Sequence, residues 1–177
     1  MAGNGVRYSP GSRSRDGDIR SLRQEQPPSS PLQEMLLLHE GKLALCGALE
    51  SIADSLPNRF ERLTCLAVAN TLLPLIRRAH QLEETNIFPA YDALSDTAAR
   101  SGSTQRLRSE HVEDECFAAE LTEILFKIGH EGAVGDAEVF GFMLRGFFEG
   151  MRRHVAFESE HIAPLIDNSL FRSRPEI

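Results

Sequence analysis

Three of the six histidines in this chain of 177 residues are followed four positions later by a carboxylate. His80 is followed by Glu84, His111 by Glu115 and His154 by Glu158. On a helix, positions i and i+4 share one face about a turn apart, so each imidazole and its carboxylate can converge on a single point. Imidazole with carboxylate suits iron, manganese or zinc, and the absence of nearby thiolates disfavours a soft-metal site.

The faces on which these residues lie sharpen the argument. Written as heptad columns, one stripe reads Phe140, Phe147, His154, His161 and its neighbour Leu144, Met151, Glu158, Leu165. Leu107, His111, Ala118 and Leu125 share a face, with Glu115 at its edge. Leu66, Leu73, His80 and Ile87 align, as do Leu32, His39, Cys46 and Ala53. Each of the four segments therefore points one histidine along its apolar stripe. A carboxylate in such a core costs several kcal/mol unless it is paired or binds metal. Three carboxylates and four imidazoles at one depth need a shared reason, and two divalent ions would supply it.

The elements that must hold these residues read as four long helices. Ser30 can cap the first, with Pro31 at its first position and Gln33 completing a capping box. That helix runs to Leu56 and stops at Pro57. Asn58, with Glu61 three residues on, is the expected cap of the second, which continues towards Phe88-Pro89 and contains Pro74 as a potential kink. Ser101-Gly102-Ser103 reads as a connection, and the third helix runs from Thr104 to Ile128. Gly132 to Gly135 is the next turn, and the fourth helix runs from Asp136 to Ile166. No stretch has the period-two alternation of a strand. The expected fold is all-α, an antiparallel up-down-up-down four-helix bundle over residues 31–177.

Residues 1–30 are different in kind. They hold Gly, Ser, Pro and five arginines against three acids, with little that could join a core, and read as a disordered N-terminal tail. Such a tail is by default a solvated leader, and a protein partner for it is an open alternative. The formal charge of −7 argues against a nucleic-acid-binding surface. No apolar run is long enough to span a membrane and no secretory h-region is present, so a cytoplasmic, soluble protein is expected. Cys46, Cys65 and Cys116 are widely spaced and read as reduced thiols.

His39, His80 with Glu83-Glu84-Thr85-Asn86-Ile87-Phe88-Pro89, Glu110-His111, and His154 with Glu158-Ser159-Glu160-His161-Ile162-Ala163-Pro164 together resemble the hemerythrin-like HHE cation-binding domains, over residues 31–166. The resemblance implies a non-haem, carboxylate-bridged centre of two iron ions. By position, His39 and His80 would bind one iron, His111, Glu115 and His154 the other, and Glu84 and Glu158 would bridge them. Oxygen-carrying hemerythrins are similar but have a second histidine where this chain has Glu115, which leaves Asp114 as a rival ligand. The first bridging residue is open as well. Counting from His80 selects Glu84, whereas counting back from Pro89, as Glu158 stands to Pro164, selects Glu83. His161 either donates to a metal ligand from behind or lies at an exposed helix end, His130 is a surface cation, and Phe140, Phe142, Phe147 and Phe148 are core.

The function expected from the resemblance is binding of, or reaction with, a small oxidant or gas (oxygen, peroxide or nitric oxide) in sensing, scavenging or detoxification. Iron storage or iron donation for iron–sulfur repair is one alternative, and a metal-free helical interaction module another. Whether the protein is an enzyme does not follow from the sequence.

Overall fold

The computed structural model describes Met1 and residues 30–94 and 98–172, the side chains of 98–101 and 169–172 excepted. The tail expected over residues 1–30 therefore lies outside the described residues apart from its two ends. The described chain is helical, with no strand among the described residues: α1 (Pro31–Ser55), α2 (Arg62–Leu82), α3 (Phe88–Ala93), α4 (Ala98–Glu131), α5 (Ala137–Phe157) and α6 (Ala163–Arg172). A π-helical turn, Glu83–Ile87, joins α2 to α3, and a second, Glu158–Ile162, joins α5 to α6. These unions leave four rods. In the packing, α1 neighbours α2 and α5, and α4 neighbours α2 and α5, which is the closed square of an antiparallel four-helix bundle.

Local chemistry sets most of the helix ends. The Ser30 hydroxyl accepts from the Gln33 N–H and the Gln33 side chain returns a bond to the Ser30 N–H, so the expected capping box is present. Asp136 caps α5 by accepting from the Val139 N–H at 3.0 Å. Gly132, at φ 73°, ends α4 with its N–H on the Ile128 carbonyl at 2.8 Å, a left-handed conformation that glycine takes without steric cost. Two expected boundaries move. Asn58 does not cap α2, because residues 56–59 form a turn closed by the Arg59 N–H on the Ser55 carbonyl, and α2 begins at Arg62 without a side-chain cap. Ser101-Gly102-Ser103 is not a connection, for α4 already starts at Ala98. Its neighbour Thr104 is buried and donates its hydroxyl to Asp92 at 3.0 Å, fixing this end of α4 to α3. Gly129 lets α2 and α4 close up: a Cβ there would stand 2.5 Å from Leu66. Arg62 then donates to the carbonyls of Gly129 and His130. Phe142 lies on the surface, 69% exposed, and leaves Phe140, Phe147 and Phe148 to the core.

The interior has three layers. A large apolar cluster, including Leu49, Leu72, Leu121 and Leu144, fills one end of the bundle. A smaller one, built on Met35, Ile87, Phe88, Leu107 and Ile162, fills the other. Between the two in chain position, on every rod, come the buried polar residues His39, Lys42, His80, Glu83, His111, His154 and Glu158.

Candidate metal centre

The polar layer draws on all four rods. The first provides His39 and Lys42, the second His80 and Glu83, the third His111, and the fourth His154 and Glu158. All are at most 5% exposed, and Lys42, Glu83 and Glu158 are wholly buried. Both glutamates are the first residues of π turns, and a proline follows each six positions on, Pro89 and Pro164. The Phe88 N–H bonds the Glu83 carbonyl and the Ala163 N–H bonds the Glu158 carbonyl, each five residues back. The next residue in each case is the proline, which has no N–H to pull the wide turn back into α register. Single π turns of this kind are rare and concentrate at functional sites.

Each glutamate divides its two oxygens between two sides of the layer. On one side, Glu83 Oε1 accepts from Lys42 Nζ at 2.8 Å, and Glu158 Oε2 stands 3.0 Å from His39 Nε2 and 3.8 Å from Lys42 Nζ. On the other side, Glu83 Oε2 is 3.3 Å from His111 Nε2, and Glu158 Oε1 is 3.5 Å from His154 Nε2. These four atoms are buried and have no hydrogen-bond partner. The nearby His80 Nε2 is also buried and unpartnered, its ring stacked on that of His111 with centroids 3.8 Å apart. Glu83, His111, His154 and Glu158 can each present one ligand atom within 4.8 Å of all the others.

The outward nitrogens of the same histidines are held from behind. His80 Nδ1 meets Glu115 at 3.2 Å, and His111 Nδ1 meets Glu84 at 2.8 Å. His154 Nδ1 faces Asp114 at 3.6 Å and Glu110 at 3.7 Å. His39 Nδ1 has a neutral partner, the Ser159 hydroxyl, at 3.2 Å. A carboxylate behind an imidazole fixes its tautomer, aims the far nitrogen inward and raises its basicity as a ligand.

The charges follow from these contacts. Burial opposes ionisation of Glu83, but the Lys42 ammonium and the close imidazoles of His111 and His39 hold its carboxyl well below the usual carboxylate range. Burial and the charge of Glu83 oppose ionisation of Glu158, yet the nearby imidazole of His154 and the contact with His39 bring it down to about 2. Burial pushes the His80 imidazole down to about 2, helped by the charges of His111 and Lys42. Burial also works against the imidazolium of His39, but the bond to Glu158 and the nearby Glu83 carboxylate outweigh it and raise its pKa. Asp114 is raised, chiefly by burial.

The residues singled out by sequence thus separate into three groups. His39, His80, His111, His154 and Glu158 share the buried layer, and of the two candidates on the second rod it is Glu83 that joins them. Glu84, Glu115 and Asp114 stand outside, behind the imidazoles. His161 is exposed, its ring edge against Phe157, and does not reach the layer. Glu84 and Glu115 cross over: each lies four residues after one histidine and bonds the histidine of the other rod. Lys42 was missing from the sequence argument. Its position three residues after His39 was the available signal, since i+3 shares a face with i.

A family model for the hemerythrin HHE cation-binding domain matches residues 30–166. The chain belongs to that family. No curated protein and no solved structure matches it. The residues present fit the cation that the family's description implies. Imidazole and carboxylate are the right donors, and five buried ligand-type atoms lack any other partner. A metal ion on the side of His111 and His154 would satisfy them. Cys46 and Cys65 are buried in the larger apolar cluster, away from the polar layer, where burial pushes the Cys46 thiol up to about 11.

Proposed function

We propose that this HHE-domain protein is a non-haem iron protein whose centre binds or reacts with a small oxidant or gas, such as oxygen, peroxide or nitric oxide. The observation that carries the reading is the convergence of Glu83 Oε2, Glu158 Oε1, His111 Nε2 and His154 Nε2, buried and without hydrogen-bond partners. Leaving such atoms unsatisfied costs on the order of 1–3 kcal/mol each, more for charged groups. Bound iron would supply a redox-active Lewis acid at this point.

The chain's own residues restrict what can reach it. The inner carboxylates are wholly buried, and the two apolar clusters close the bundle along its length. Among the described residues, open space comes near from the side. A cleft of about 510 Å³ beside His154 is lined by Arg106, Glu110, Asp114, Arg153 and Phe157, and another of about 370 Å³ beside His111 by Arg77, Glu84, Glu115 and Cys116. Both carry several charged side chains in their lining, unlike the deep apolar pocket that holds most organic substrates. In this reading Glu84, Glu115 and Asp114 hold the imidazoles in register, and the protein works in the cytoplasm on a diffusible ligand.

The test is anaerobic loading with ferrous iron, desalting, and elemental analysis, followed by optical spectra on exposure to oxygen, peroxide and nitric oxide. Bound iron with a rapid spectral change for at least one of the three is expected. Bound iron that stays inert to all three and leaves slowly to a chelator would replace this reading with storage or donation. A folded chain that binds no iron would sink it.

A further inference from the structure

The two sides of the polar layer are not equivalent. Four unpartnered ligand-type atoms lie together on one side, Glu83 Oε2 beside His111 Nε2 and Glu158 Oε1 beside His154 Nε2, and a fifth, His80 Nε2, belongs to the ring stacked on that of His111. The opposite oxygens of the same glutamates are already engaged, Glu83 Oε1 by the Lys42 ammonium at 2.8 Å and Glu158 Oε2 by His39 at 3.0 Å. Lys42 Nζ lies within 4.0 Å of both glutamates, as a second bridged cation would, and it is wholly buried.

We propose that Lys42 holds the place of a second metal ion, so that this chain's centre takes a single ion, on Glu83, Glu158, His111 and His154. The proposal rests on the iron-centre reading above and departs from the two-iron arrangement that the resemblance implies. Charge supports it. Two buried carboxylates need positive charge on both of their faces, and an ammonium donating a hydrogen bond provides it on one without any ion. The histidines agree. His111 and His80 have a carboxylate bonded to Nδ1 and His154 has two close by, the arrangement that strengthens an imidazole as a ligand. His39, next to Lys42, has only the Ser159 hydroxyl and turns its Nε2 to Glu158. Its role is that of a hydrogen-bonding partner of the carboxylate. A second ion would have to displace Lys42 Nζ and leave it buried without its carboxylates, at a cost of several kcal/mol.

The wild-type chain and Lys42→Met are loaded with excess ferrous iron under nitrogen, desalted, and measured for iron per chain, with circular dichroism as the folding control. One iron per wild-type chain is expected, rising towards two in the variant. Two irons per folded wild-type chain would overturn the proposal and leave the iron-centre reading standing. No iron in the folded wild type would overturn both. A folded variant that stays at one iron would also overturn the proposal. Because the variant leaves Glu83 without its buried partner and can fail to fold, a second measurement uses wild type alone. Its manganese(II) form should give the paramagnetic resonance of an isolated ion, and the spectrum of an exchange-coupled pair would refute the single-ion centre.

Discussion

The half of the polar layer around Lys42 and the half around His111 share the same two glutamates but meet their electrostatic demand differently. Around Lys42 the protein provides the cation itself, and both carboxylate oxygens there have partners. Around His111 and His154 the matching oxygens and the Nε2 atom of each imidazole have none. One half is finished by folding, whereas the other is left for a ligand. The difference teaches that burial alone does not mark a metal site. Lys42 and Glu83 are both wholly buried, yet their contact is complete as it stands. The mark is burial combined with an absent partner and a carboxylate already placed behind the imidazole.

The sharpest way to break the comparison is to remove a residue that serves both halves. Glu83→Ala should destabilise the metal-free chain by about 3–5 kcal/mol in urea unfolding, because it strands the buried Lys42 ammonium. It should also abolish retention of iron through desalting, since Glu83 is one of the four converging ligands.

Substitutions confined to one half then separate the two. Free ferrous iron at 100 times its dissociation constant should stabilise the wild type by about 2.7 kcal/mol, read as a higher unfolding temperature under nitrogen. His154→Ala should lose nearly all of that increment, because it deletes a converging ligand. His39→Ala should keep most of it, because His39 serves the Lys42 side. Equal losses in the two variants would erase the distinction between the halves and favour an ion on each.

A smaller effect belongs to the carboxylates behind the imidazoles. Glu115→Gln and Glu84→Gln should each weaken iron binding by about 10–100-fold in chelator competition, with little change in the fold. Because the two glutamates serve opposite rods, their effects should be of similar size.

Much of this architecture was legible in the sequence, for reasons that name themselves. Ser30 with Gln33, Asp136, Gly132 and Pro57 are local signals, and the structure uses each where it stands. One histidine per apolar stripe located the buried layer. The ambiguities sat where local rules collide. The i+4 rule points from His80 to Glu84, but the buried succession Ile76, His80, Glu83, Ile87 carries the inward face through Glu83. The proline spacing had favoured Glu83, because Pro89 and Pro164 stand at one offset from the start of their π turns. The i+4 pairs were real, but on the second and third rods their carboxylates serve the neighbouring rod, which no single-helix pattern can express. Lys42 escaped because a lysine on a helix is ordinarily read as a solvated charge, and only tertiary packing shows both of its acceptors.

The mildest test asks whether the partner behind His39 matters at all. Ser159→Ala removes a neutral hydroxyl from His39 Nδ1 and leaves the His39 Nε2 contact with Glu158 in place. If His39 only steadies the carboxylate, the change in iron affinity should stay below the roughly 10-fold that loss of an outer carboxylate costs. Chelator competition run beside Glu115→Gln gives the comparison directly. A loss as large as that of Glu115→Gln would mean that the orientation of His39 is as demanding as that of a ligand. The Lys42 side would then have to be counted as part of the metal site.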